Sequence, residues 1–189
     1  TISETAMAVC LGAMGGTAII HRYNSIQTQS RMIALAADIG QEKFRTKINI
    51  GAAVGVSGDF KKRAVSALDA GATFLCVDVA HGHHILTKEA LIELRGTIGE
   101  NVHIMAGNVA TLEGVNALSD WGADSVRCNI GGGSICSTRI QTGHGVPGLQ
   151  TIFDCAETDR NITIIADGGI RNSGDIVKAL AAGADVVMC

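Results

Sequence analysis

The sequence predicts an α/β protein, a fragment of a (β/α)8 barrel that carries strands two to eight. Three observations lead there. Short apolar runs alternate with amphipathic stretches along all 189 residues. Three of the amphipathic stretches end in nearly the same phrase: Asp69-Ala-Gly-Ala72, Trp121-Gly-Ala-Asp124 and Ala182-Gly-Ala-Asp185. Each apolar run is followed by a polar or Gly-rich loop, so candidate functional residues fall at the ends of nearly every strand, as a barrel site requires. A doubly wound sheet is the alternative, but no G-x-G-x-x-G follows an early strand.

The apolar runs are 17–21 (TAIIH), 48–54 (INIGAAV), 74–79 (FLCVDV), 103–106 (HIMA), 125–129 (SVRCN), 163–167 (TIIAD) and 186–189 (VVMC). Short continuous runs of this kind suit strands buried on both faces of a parallel sheet. Helical spacing places Phe60, Ala64, Val65 and Leu68 on one face of 59–70, and Leu91, Leu94 and Ile98 on one face of 87–98. Residues 112–118 and 174–181 follow the same pattern. Residues 1–12 form a further helix, capped by Ser3 or Thr1 and stopped by Gly15-Gly16. The repeated Gly-Ala phrase ends a helix in a left-handed residue and turns the chain into the next strand. Its spacing fits a repeated βα unit. The strand count is one short of eight. The chain opens on a helix and without an initiator Met, so an excerpt is expected: one barrel domain over 1–189, incomplete at both ends. Alone, such an excerpt should aggregate or fold only in part, because unpaired strand edges invite association.

Composition removes several function classes. The chain is 47% hydrophobic and 17% charged, with net charge −3, 24 Gly and one Pro. High apolar content with low net charge excludes a disordered chain. Aromatics are only 3% and there is no basic run, which argues against nucleic acid as a partner. No stretch approaches a membrane span. The six cysteines make no C-x-x-C pair, so reduced thiols in the cytoplasm are expected rather than a disulfide framework or a zinc site. Five of them, Cys10, Cys76, Cys128, Cys155 and Cys189, read as packing.

The chemistry concentrates in 129–145, NIGGGSICSTRIQTGHG. Three consecutive glycines let backbone approach a ligand closely. Cys136 lies in this loop among Ser134, Ser137, Thr138 and Arg139, where a cation and nearby donors would lower a thiol and make it nucleophilic. The plainer reading is a small residue in a turn. In 165–170, IADGGI, Asp167 ends a strand and could accept from ribose hydroxyls. Gly168-Gly169 then offers backbone N–H groups to a phosphate, as loops after late barrel strands do. The plainer reading there is a turn with an Asp cap. Asp78 and Asn108 stand at two further strand ends. Arg127, inside a strand, needs a partner. His21 reads as an anchor for its loop. His81, His83 and His84 lack a carboxylate or Cys at ligand spacing and read as a polar loop.

Taken together, these residues resemble the IMP dehydrogenase and GMP reductase family. GGGSICSTR is similar to its catalytic-cysteine loop, and IADGGIRNSGDIVKALAAGADVVM to its phosphate-binding strand and following helix. GAAVGV (51–56), VDVAHGH (77–83) and MAGNVAT (105–111) resemble its other strand-end motifs. The resemblance covers the whole chain. It implies a TIM barrel acting at C2 of a purine nucleoside 5′-monophosphate, GMP or IMP. It makes Cys136 the nucleophile of a covalent thioimidate and Thr138 the catalytic threonine. It assigns Ser134, Gly168 and Gly169 to the phosphate and Asp167 to the ribose. Asp78, Asn108 and Arg127 match positions on the nicotinamide side of NADPH or NAD. The carbonyls of Gly131, Gly133 and Cys136 match a monovalent-cation (K+) site. Asn129 departs from the usual Gly, and Gly132 from Pro or Ser.

The resemblance also implies a homotetramer and leaves two directions. Dehydrogenases commonly insert a CBS pair after the second strand, and 22–47 is too short to be one. That, with Thr142-Gly143 and His21-Arg-Tyr-Asn24, favours GMP reductase. GAAVGV and SGDIVKALAAGAD lean toward IMP dehydrogenase. A nucleotide-binding relative without catalysis is the third reading.

Overall fold

The computed structural model describes residues 2–189; Thr1, one of the expected helix caps, lies outside them. The described chain alternates strands and helices throughout and falls into two units. One holds the residues up to Asp78 together with Ile92–Ile104; the other holds Val79–Leu91 and Met105–Cys189.

In the first unit the order is α1 (Thr5–Ala13), β1 (Ala18–Ile20), α2 (Ile26–Phe44), β2 (Ile50–Val54), α3 (Phe60–Asp69) and β3 (Phe74–Asp78), with the second half of α4 (Ile85–Ile98). β1 pairs with β2 and β2 with β3, both parallel, with Ala18 opposite Ile50 and Gly51 opposite Phe74. Every residue of β2 is buried. That is why the strand reads as a continuous apolar run rather than an alternation. Ile20, Ile33, Ile50, Val54, Leu75, Val77 and Leu94 are fully enclosed.

Two expectations change here. Helix α1 begins at Thr5, and the residue before it is Glu4, whose side chain makes no cap bond. The expected Ser3 cap is therefore absent. Cys10 on α1 is exposed, as is Cys189 in the second unit, so neither is a packing residue. The stretch 22–47 also holds more than a connection. Ser25 caps the 19-residue α2 by accepting from the Thr28 N–H at 3.1 Å. The buried face of α2 is Gln29, Ile33, Ala36 and Gly40, too small and polar for an apolar stripe. Gln29, 1% exposed, donates to the carbonyls of Ile20, His21 and Ala53 and accepts from Arg63 at 3.1 Å. One amide thus joins β1, β2 and α3 and satisfies groups that water cannot reach. His21 does anchor its loop: Nδ1 accepts from the Tyr23 N–H, and Nε2 lies 3.2 Å from Glu4.

The second unit holds the first half of α4 and most of β4 (His103–Val109). It continues with α5 (Leu112–Asp120), β5 (Ser125–Cys128), α6 (Thr138–Thr142), α7 (Gly148–Ala156), β6 (Thr163–Asp167), α8 (Ser173–Ala181) and β7 (Val186–Met188). β4, β5, β6 and β7 pair in sequence order, all parallel. Thr111 caps α5 and Asn172 caps α8, each accepting from a backbone N–H in the first turn. Strand β4 runs past Ala106 to Val109, so Asn108 lies within it, at a register shift against β5. Helices α6 and α7 were not expected from the sequence.

The repeated phrase works as read. Gly71, Gly122 and Gly183 have φ of 105°, 105° and 109°. In each case the N–H after the glycine reaches back five residues: Ala72 to Ala67, Ala123 to Leu118, Ala184 to Ala179. The glycine N–H closes the inner bond, to Leu68, Ser119 and Leu180. This paired bonding satisfies the last helical carbonyls, and the left-handed residue suits glycine. The chain then enters the sheet at once. Asp185 accepts from the Ile164 N–H at 2.8 Å, and Thr73 from that of Ile50 at 3.0 Å, which fixes strand register at the entry.

Candidate active site

In the second unit the C-terminal ends of β4, β5 and β6 bring three polar side chains together. Asp167 ends β6. Its Oδ2 accepts from Asn108 Nδ2 at 2.7 Å and lies 3.5 Å from Arg127 NH1. Arg127 is 7% exposed, on a strand buried along its whole length. The pairing expected of it is therefore with Asp167. Asn108 reaches Asp167 because the register shift between Gly107 and Val109 re-aims the strand there. The same Nδ2 donates to the Asn129 carbonyl at 3.0 Å. Two residues that the resemblance assigns to the nicotinamide side thus hold the residue it assigns to the ribose. Asp78, assigned with them, ends β3 in the first unit, where its carbonyl accepts from Arg22.

The loop after β5 packs on the loop after β6. Gly168 and Gly169 both have left-handed φ, 82° and 78°. A Cβ on Gly168 would lie 3.2 Å from the Gly133 nitrogen, and one on Gly169 3.1 Å from the Gly132 carbonyl oxygen. Both the backbone conformation and the close approach therefore require glycine. The cysteine loop and the Gly168-Gly169 turn share one backbone-to-backbone contact.

Cys136 is half-buried in the loop, with its sulfur 3.3 Å from Thr138 Oγ1. Its thiol is held below the ordinary range, first by hydrogen bonding from the Thr138 hydroxyl and backbone, with a smaller contribution from the Arg139 guanidinium. Those donors favour the thiolate, which is the nucleophilic form. Thr138 is the first residue of α6; Ser134 and Ile135 are exposed beside the thiol. The Gly133 carbonyl accepts the Cys136 N–H at 3.1 Å and closes the turn that carries the sulfur. A cation on the Gly131, Gly133 and Cys136 carbonyls would share that oxygen through its second lone pair.

One other thiol of this unit behaves differently. Cys128 is buried against Cys155 of α7, and its hydrogen bond with Cys155, together with burial, pushes it above an ordinary thiol. His83 packs on Trp121, and His84 Nδ1 accepts from the Leu86 N–H. Asn129, noticed in the sequence only as a departure, turns out to be central. It is 5% exposed, and its Nδ2 donates to the Asp167 carbonyl at 2.8 Å. Asn129, Gly132, Gly168 and Gly169, with Asp175 and Lys178 of α8, line a cavity of about 200 Å³.

Known proteins resemble this chain over most of its length. A GMP reductase of Leishmania donovani is 46% identical over 147 residues, 76% of this chain and 30% of that protein. An inosine-5′-monophosphate dehydrogenase of Nitrosopumilus maritimus is 49% identical over 143 residues, 74% of this chain and 29% of that protein. The crystal structure of inosine 5′-monophosphate dehydrogenase from Legionella pneumophila matches with a TM-score of 0.87 at 44% identity, over 98% of this chain and 54% of that one. The chain therefore spans about 30% of the length of these curated relatives. The fold is that of a partial (β/α)8 barrel, as the strand–helix alternation predicts. Among the described residues, no helix is long and apolar enough to cross a membrane. The sequence model of the IMP dehydrogenase / GMP reductase domain matches residues 1–189, and the chain belongs to that family.

Proposed function

We propose that this chain supplies the catalytic segment of an enzyme that acts at C2 of a purine nucleoside 5′-monophosphate, and that it reduces GMP to IMP with release of ammonia. The observation that carries the reading is Cys136: a thiol lowered by Thr138 and Arg139, on a loop packed against Asp167-Gly168-Gly169, in a member of this family. The ribose hydroxyls donate to Asp167, which Asn108 and Arg127 hold in place. The phosphate takes backbone N–H groups at Gly168-Gly169 and the Ser134 hydroxyl. The Cys136 thiolate attacks C2 of the guanine. The C–S bond forms, the exocyclic C2–N bond breaks, and the amino group leaves as ammonia after protonation. NADPH, when bound, supplies the hydride to C2. The C–S bond then breaks, its electron pair returns to sulfur, and IMP leaves. Thr138 favours the ionised sulfur before attack and after release. A monovalent cation on the Gly131, Gly133 and Cys136 carbonyls would add fixed positive charge under the loop. Asp78 belongs to the nicotinamide side by resemblance, and the assembly is a homotetramer on the same ground.

Thr142-Gly143 and the short 22–47 connection favour the reductive direction. GAAVGV, SGDIVKALAAGAD and the dehydrogenase relatives favour the other, in which hydride passes from C2 of IMP to NAD and water releases XMP. The two relatives named above stand at 46% and 49% identity, so overall similarity does not choose between them. Two assays on the intact protein do. The proposal expects ammonia from GMP with NADPH. NADH from IMP with NAD, without ammonia release, would reverse the direction. Neither reaction, with nucleotide still bound, would leave a binding protein.

A further inference from the structure

We propose that Asn129 is a positioning residue that latches the cysteine loop to the end of β6, and that glycine at 132 is a consequence of that latch. The proposal rests on the nucleotide reading of Cys136 and Asp167 for its effect on turnover, but not for its geometry.

Asn129 follows β5 at φ 150°, a backbone conformation that belongs almost entirely to glycine. A side chain is nevertheless present, and it is engaged from several directions. Its N–H donates to the Val109 carbonyl at 2.9 Å, and its carbonyl accepts from Asn108. Its Nδ2 donates to the Asp167 carbonyl at 2.8 Å and lies 3.5 Å from that of Gly168. The main chain of Asn129 therefore ties to β4, while its side chain ties to β6. Strain at φ 150° persists because these bonds over-determine the position.

The carboxamide takes space that the loop must leave free. A Cβ on Gly132 would lie 1.9 Å from Asn129 Nδ2, and one on Gly148, at the start of α7, 3.1 Å from the same atom. No real Cβ tolerates the first distance, so any side chain at 132 expels the Asn129 amide. The two departures from the family pattern are thus one structural event. A carboxamide grown from position 129 occupies the room that a side chain at 132 would use. The Oδ1 of Asn129 is buried with no hydrogen-bond partner. An unpaired buried oxygen is costly, so the amide is held there by its donor side alone.

The consequence for turnover follows from what the latch joins. Asp167 has a second support in Asn108, so loss of the latch leaves the ribose anchor in place. What loosens is the placement of the Gly131–Gly133 turn, and with it Cys136, relative to that anchor. Misplacement of a nucleophile by an ångström costs about 100-fold in rate.

The test is a double-mutant cycle on the intact protein with Asn129→Gly, Gly132→Ser and both together. Three quantities are read: kcat and nucleotide KM, the alkylation rate of Cys136 by iodoacetamide without nucleotide, and the urea midpoint. Asn129→Gly is expected to lower kcat about tenfold with KM changed less than about threefold. Gly132→Ser alone is expected to lose about 100-fold in kcat, or to fail to fold. The double variant is expected to regain most of that loss and return to the level of Asn129→Gly. Additive effects would overturn the proposal. So would a Gly132→Ser protein with parental kcat, or a double variant no better than Gly132→Ser. If the nucleotide reading is wrong, turnover carries no signal. The same non-additivity must then still appear in the alkylation rate and the urea midpoint.

Discussion

Removal of the Asp167 carboxylate should destabilise the second unit by about 2–4 kcal/mol, and the size can be worked from its partners. Asn108 Nδ2 loses a charged acceptor at 2.7 Å. A hydrogen bond to a charged group is worth about 1.5–3 kcal/mol. Arg127 loses a carboxylate at 3.5 Å, and its side chain is 8% exposed against 20% for Asp167. The gross attraction at that distance is several kcal/mol at an effective dielectric near 20, but partial hydration and a long contact leave about 1 kcal/mol. Asp167→Asn keeps an acceptor for Asn108 and loses only the charge, so it should cost about 1 kcal/mol. Urea unfolding of the parent, Asp167→Ala and Asp167→Asn, with the slope unchanged, measures the order directly. An alanine variant within about 0.5 kcal/mol of the parent would refute the reasoning, as would equal losses in the two variants.

Three other outcomes are expected. Thr138→Val should raise the apparent pKa of Cys136: the hydroxyl favours the thiolate, so the parent keeps its iodoacetamide reactivity to lower pH and the variant loses it as pH falls. An unchanged pH–rate profile would remove Thr138 from the site. Gly183→Ala should cost more than Gly71→Ala, because both force a left-handed alanine at about 1 kcal/mol, while only the first adds a Cβ 2.5 Å from that of Ala156; thermal midpoints in the reverse order would contradict this. Gln29→Leu should lose about 3 kcal/mol or more, since it strands the carbonyls of Ile20, His21 and Ala53 and removes one acceptor of Arg63; a denaturation midpoint near the parent's would show that water replaces the amide.

What was legible in the sequence was whatever rests on local chemistry. The glycines of the Gly-Ala phrase declared three helix ends, because a left-handed residue after the last helical turn has few chemical solutions. The strands declared themselves as continuous apolar runs, because burial on both faces leaves no alternation. Helix α2 was silent for the converse reason: its buried face is Gln29, Ile33, Ala36 and Gly40, with Leu35 and Phe44 outward, so no apolar stripe exists to be read. Helix α7 is short, and its buried Thr151, Ile152 and Cys155 give little pattern; Pro147 just before it was the available signal. In the site, Cys136 and Asp167 were visible as single residues in unusual loops. The convergence of Asn108 and Arg127 on Asp167 was not, because it depends on a register shift in β4 and on the pairing of β5 with β6. Asn129 could be seen as a departure, but its function needs the 1.9 Å approach to Gly132 that only coordinates reveal.

The central claim is covalent chemistry at Cys136. The most direct measurement is the intact mass of the protein after incubation with GMP and acid quench, with the modified residue located by peptide mapping. The account predicts a purine-nucleotide adduct on Cys136 that NADPH discharges, and neither adduct nor turnover in Cys136→Ala, which still binds the nucleotide. Turnover by Cys136→Ala at a rate near the parent's, or an adduct mapped to another residue, would contradict it.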